Sequence, residues 1–116
     1  MIIGIGTDIV EISRIARAIT SEAFLRKCYT ADEVKRCRGL ARSFAGYFAA
    51  KESVAKALGT GFRGFLPRDV EIVQDEAGRP FVRFGREGVA PPDARVYISI
   101  SHGRDFAVAV AVIWRV

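Results

Sequence analysis

The chain has 116 residues, near the usual size for one hydrophobic core, and reads as a single domain over residues 1–116. Half of it is hydrophobic and 27% is charged, so neither disorder nor dependence on disulfides or a structural metal is expected. A net charge of +5, with a pI near 9.7, favours an anionic partner: nucleic acid, an acidic protein or a phosphorylated small molecule.

The first ten residues, MIIGIGTDIV, form an apolar run too short to span a bilayer. They carry no basic leader and reach an acid at Asp8, so they do not read as a signal peptide, and the cytoplasm is the expected location. Residues 2–7 read as a buried strand in which the glycines allow close backbone approach. Ile9, Ile12, Ile15, Ala16 and Ile19 then recur at helical spacing, with Asp8 as a candidate N-cap and Glu11 three residues on. A short helix is expected over 21–28. A second capping box, Thr30 with Glu33, starts a helix to about Arg38, where Gly39 interrupts it. Cys28 and Cys37 match neither zinc-ligand nor disulfide-framework spacing and read as free thiols.

From about Leu40 to Leu58 the pattern is helical again, ended by Gly59 and Gly61. Beyond it the period changes. Residues 69–84 read as a hairpin turning at DEAG, and 85–94 as a loop with one helical turn before Pro91. RVYISISH and DFAVAVAVIWRV form a second hairpin joined at HGRD. Early helices and late antiparallel strands predict an α+β domain: a mainly antiparallel sheet joined by the N-terminal strand, packed against a long helix and short N-terminal helices.

The long helix, FAAKESVAKALGTG from Phe48 to Gly61, carries charge inside an apolar pattern. At 100° per residue Phe44, Phe48, Ala55 and Leu58 share one side, while Glu52 and Lys56 lie one turn apart at its edge. By themselves these two read as a surface i,i+4 ion pair. Lys51 falls among the aromatics and must snorkel out or find an acid, because burying a lone ammonium is prohibitive. Asp8 has two readings: a helix cap, or an acid at a strand end suited to a metal. Magnesium is commonly held by one or two carboxylates, with water and substrate phosphate completing the octahedron.

GTGFRG, Gly59 to Gly64, fits a dinucleotide fingerprint literally but follows a helix instead of a strand, so it reads as a C-cap and loop. His102, the only histidine, ends a strand in SISH; sharing that strand with the serines makes it a poor serine-hydrolase partner. Cationic stretches crowd the first 42 residues, but they lack the interleaved aromatics of a single-strand platform and any groove-reading motif, so no nucleic-acid partner is expected.

Three blocks, IGIGTDIVEISRI, FAAKESVAKALGTG and VYISISHGRDFAVAVAV, together resemble the holo-acyl-carrier-protein synthases, the small class of 4′-phosphopantetheinyl transferases. They contain the G-x-D and K-E-[SA]-x-x-K elements of that superfamily, and weaker likeness continues through LPRDVEIVQDEAGRPFV. The resemblance implies Mg²⁺-dependent transfer of phosphopantetheine from coenzyme A to a serine of an apo acyl carrier protein, releasing adenosine 3′,5′-bisphosphate. It implies a homotrimer with sites at subunit interfaces and no membrane partner. Asp8 and Glu52 would be the metal ligands. Lys51, Lys56, Gly61 and His102 would meet coenzyme A, and Arg14, Arg17 and Arg26 the acidic carrier. Catalysis would rest on Asp8, Glu52 and Lys56, with Glu52 accepting the serine proton directly or through water. Two departures stand out: Tyr47 where the family often has arginine, with Arg42 or Arg63 as substitutes, and GRD after His102.

Overall fold

In a computed structural model covering residues 1–116, the N-terminal strand outruns its expected length. β1 spans Ile2–Glu11 and pairs antiparallel with β5, Phe106–Arg115, as far as Glu11 opposite Phe106. Its backbone is therefore committed to the ladder through Asp8, and Asp8 does not cap a helix. The helix α1 starts later, at Ile12–Ala18; Glu11 occupies its N-cap without a side-chain bond, and the Ile12 N–H donates to Asp105 O (2.9 Å) at the tip of a hairpin. That hairpin joins β5 to β4, Ala94–His102, and completes an antiparallel sheet of order β1-β5-β4.

The other expected elements form close to their anticipated limits. The helix α2, Glu22–Cys28, is capped by Ser21, whose Oγ accepts from Phe24 N–H (3.2 Å). In α3, Ala31–Cys37, both halves of the Thr30–Glu33 capping box are present. It stops where Arg38 and Gly39 turn left-handed, and α4 follows at Ala41–Leu58, closed by Gly59 at φ 80°. The hairpin β2–β3, Val70–Gln74 with Pro80–Phe84, forms its own two-stranded sheet, preceded by a short 3₁₀ turn at Pro67–Asp69 that the sequence did not signal. No helical turn precedes Pro91; residues 85–93 are bends and turns.

α4 lies on one face of the three-stranded sheet. Along β1 the even positions Gly6 and Val10 are buried while Ile3, Ile5 and Ile9 stand exposed, the period of two that a half-covered strand requires. One apolar cluster gathers Val10, Ile15, Tyr29, Phe44 and Ala109; a second gathers Val54, Phe65, Val70 and Ile113. The opposite sheet face is left open, with Ile5 70% and Ile9 63% exposed beside Phe106, Val108, Trp114 and Tyr97.

Candidate active site

The site begins with two glycines. Gly4 and Gly6 lie on the helix-facing side of β1, where a Cβ at Gly4 would collide with the Ala57 carbonyl oxygen and one at Gly6 with that of Ser53. Only glycine lets α4 approach the strand so closely. Ser53 Oγ seals the contact by sharing its one proton between Ala49 O in its own helix (2.8 Å) and Ala109 O across on β5 (3.1 Å). Asp8 follows Gly6 on the same face, so the approach sets it against the charged edge of the helix.

Lys56 Nζ donates to Asp8 Oδ1 (3.2 Å) and to Thr7 O (3.0 Å). The lysine thus pairs across to β1 and makes no ion pair with Glu52, which overturns the surface i,i+4 reading. Burial, and next the Asp8 charge, push the Glu52 carboxyl above its ordinary range, with Lys56 and Arg14 opposing. Two carboxylates that repel each other, flanked by two cations, are a local arrangement that a divalent ion would relieve. Their hard oxygen donors are of the kind that suits Mg²⁺, and no group of three or more His, Cys, Asp or Glu side chains is gathered here for a metal.

Lys51 is not part of this site. Its side chain is fully buried, with Nζ donating to Glu33 Oε1 (2.9 Å), Val70 O (2.7 Å) and Pro67 O (3.2 Å). All three ammonium donors are consumed inside the core, so the expected contact with coenzyme A is corrected: Lys51 found its acid. Desolvation lowers its pKa, and the Glu33 charge works against that shift. Glu33 Oε2 also accepts from Ile72 N–H (2.8 Å), so the pair joins α3, α4 and β2. The capping box accounted for Glu33 completely from sequence and concealed its second role. Cys28 and Cys37 are free, as expected; both are also buried, and burial pushes their thiol pKa values up, for Cys37 to about 12.

His102 sits elsewhere. It pairs with Ala107, which pairs with Val10, whereas Asp8 and Ile100 flank Ala109; β5 therefore separates the histidine from the carboxylates. His102 lines a cleft of about 300 Å³ with Arg36, Arg42, Ser43, Tyr47 and Gln74. Its walls from α4, Arg42, Ser43, Gly46 and Tyr47, lie roughly 80–180° around the helix from Glu52 at 100° per residue. Arg42 is thus at the cleft beside Tyr47, while Arg63 lies outside it; Arg36 was not singled out from sequence for this place. Gly61 is exposed past the end of α4 at φ 59°, its N–H donating to Ala55 O (3.2 Å). Arg14 and Arg17 are exposed on α1; Arg26 is exposed on α2, beside Glu22 (3.7 Å) and near Arg68.

Residues 4–111 match the model of the 4′-phosphopantetheinyl transferase superfamily, and the chain belongs to that family. Among curated relatives it is 50% identical to the holo-[acyl-carrier-protein] synthase of Clostridium novyi (strain NT), over 97% of this chain and 88% of that one. The corresponding synthase of Fusobacterium nucleatum is 41% identical, over 97% and 99%. Of solved structures, the Helicobacter pylori holo-[acyl-carrier-protein] synthase in complex with coenzyme A superposes with a TM-score of 0.87 at 32% identity, over 95% of this chain and 99% of that one. The Bacillus anthracis synthase in complex with CoA (3′,5′-ADP) gives 0.82 at 35%, over 97% and 96%. The chain is an enzyme of the small holo-acyl-carrier-protein synthase class, with the α+β fold of its solved relatives.

Proposed function

We propose that this enzyme transfers 4′-phosphopantetheine from coenzyme A to a serine of an apo acyl carrier protein in the cytoplasm, with Mg²⁺, releasing adenosine 3′,5′-bisphosphate. The observation that carries the reading is the Asp8–Glu52–Lys56 cluster, assembled from two elements by the Gly4–Gly6 contact. The serine hydroxyl attacks the β-phosphorus of the pyrophosphate; an O–P bond forms to the carrier as the bond to the nucleotide 5′-phosphate breaks. Such a reaction needs charge neutralisation more than covalent help. Asp8 and Glu52 would hold the metal, which when bound supplies that neutralisation at the pyrophosphate. Lys56, half-exposed beside Asp8, balances charge on the departing phosphate. Glu52, directly or through an intervening water, takes the serine proton. Gly61, exposed near the helix end, offers backbone to coenzyme A. The exposed Arg14, Arg17 and Arg26 form the surface for the acidic carrier, chiefly raising its association rate.

Two features support a homotrimer with sites at subunit interfaces. The sheet face opposite α4 is apolar and uncovered, and one chain keeps its carboxylate cluster and its His102 cleft apart. A neighbouring subunit then supplies the half that each chain lacks. The test is the intact mass of an apo acyl carrier protein incubated with this enzyme, coenzyme A and Mg²⁺. A phosphopantetheine adduct that disappears with EDTA is expected; no adduct on any carrier protein would overturn the reading.

A further inference from the structure

Resting on that reading, we infer that Lys51 is a positioning residue for the transfer: held by Glu33, it fixes the rotation of α4 and so aims Glu52 at Asp8. Asp8 itself is placed by the β1–β5 ladder. The Glu52 carboxylate accepts no hydrogen bond within the chain, so its direction follows from how α4 is turned about its axis. Apolar packing sets that turn only loosely. The buried surface of α4 includes Ala45, Ala49, Ala50, Ala55 and Ala57, whose methyl groups form shallow ridges, and apolar burial has no preferred direction. The glycine crossing fixes how near the helix comes to β1; hydrogen bonds, which are directional, fix how it is turned.

Lys51 and Ser53 flank Glu52 at about 100° to either side of the helix, and both are fully buried. Ser53 reaches β5 at Ala109 O (3.1 Å), and Lys51 reaches the other sheet at Val70 O (2.7 Å). Behind Lys51, the edge of β2 away from β3 has no partner strand. There Glu33 Oε2 accepts from Ile72 N–H (2.8 Å) and Arg36 Nη1 donates to Ile72 O (2.7 Å). Glu33 Oε1 accepts from Thr30 N–H (2.8 Å) and from Lys51 Nζ (2.9 Å). One carboxylate thus ties Lys51 to the main chain at the start of α3 and in β2, groups that cannot swing aside as side chains do. The Tyr29 ring, 5.6 Å from Nζ, closes the position, and its hydroxyl donates to Phe44 O on α4 (2.8 Å). A buried ion pair adds little net stability over an apolar pair of like volume, so the gain here is a single geometry for the next residue in sequence.

The experiment measures kcat, KM for coenzyme A and, by electron paramagnetic resonance, the binding of Mn²⁺ as the probe ion. It compares the wild type with Lys51→Met and with the double variant Lys51→Met, Glu33→Gln, each below its unfolding transition. In both variants kcat per folded molecule should fall about 10- to 100-fold and Mn²⁺ should bind about tenfold more weakly. KM for coenzyme A should stay near that of the wild type. The double variant leaves no charge of this pair buried without its partner, so it stays informative if Lys51→Met does not fold. Wild-type kcat and Mn²⁺ affinity in the folded double variant would reduce the pair to a structural role and overturn the assignment. So would a raised KM at unchanged kcat, the mark of direct contact with the cosubstrate. Wild-type enzyme that neither transfers nor binds Mn²⁺ would instead overturn the proposed reaction, so the two failures are distinguishable.

Discussion

Glu52 and Lys51 are adjacent in sequence and have opposite fates. Glu52, at the open edge of α4, is pushed toward protonation by burial and by Asp8, whereas Lys51 is spent within the core. Glu52→Gln and Asp8→Asn should each lower kcat by about two to four orders of magnitude. The melting temperature of metal-free Glu52→Gln should not fall, because the native protein already disfavours that charge; wild-type turnover in this variant would refute both the metal-ligand and the base assignments. Lys51→Met leaves Glu33 buried without its cation and should cost about 3–5 kcal/mol by denaturant unfolding. Adding Glu33→Gln should recover part of the loss. At temperatures where Lys51→Met is folded, its KM for coenzyme A should stay near that of the wild type, which direct contact with the ligand would not allow.

At the scale of elements, the site depends on one crossing. α4 reaches Asp8 only because β1 presents no side chain at Gly4 and Gly6, and the intruding atoms are backbone carbonyl oxygens that cannot move independently of the helix. Gly6→Ala must therefore lift the helix from the strand. The expected result is a loss of about 1–3 kcal/mol, with a fall in kcat beyond what the lost folded fraction explains, as the 3.2 Å Lys56–Asp8 spacing opens. Gly39→Ala is the control for a remote glycine, since nothing lies within 4 Å of its Cβ position and its strain is confined to a turn at φ 72°. Normal kcat in folded Gly6→Ala would show that the crossing does not position the chemistry.

For the whole molecule, the uncovered sheet face and the separation of the carboxylate cluster from the His102 cleft both support the proposed trimer. Ile5→Glu should shift the sedimentation coefficient of the native protein toward that of a monomer and abolish transfer, because the charge lands in the apolar face. Coexpression of Asp8→Asn chains with His102→Ala chains tests the division itself. Random mixing in a trimer leaves roughly a quarter of the interfaces with both halves intact, so activity absent from either variant alone should return. Failure to recover any activity would place each site within a single chain.

The elements were legible because their signals are local. The Thr30–Glu33 box, the Gly59 stop and the period-two strands after Val70 all formed as the residues indicated, as did the order of helices before sheet. The resemblance likewise marked Asp8, Glu52 and Lys56, which the fold brings into one cluster. What the sequence could not settle was which partner a group takes in place of, or in addition to, its local one. Asp8 had a reasonable cap to make, Glu33 already had one, and Lys56 had Glu52 one turn away. Tertiary structure decided each case through contacts more than 12 residues apart in the chain: strand pairing removed the Asp8 cap, the buried ammonium took Glu33, and the glycine crossing drew Lys56 to Asp8. The physical reason is the cost of desolvation. A polar group's final partner is set by where the packed core leaves it, and local spacing carries no record of that.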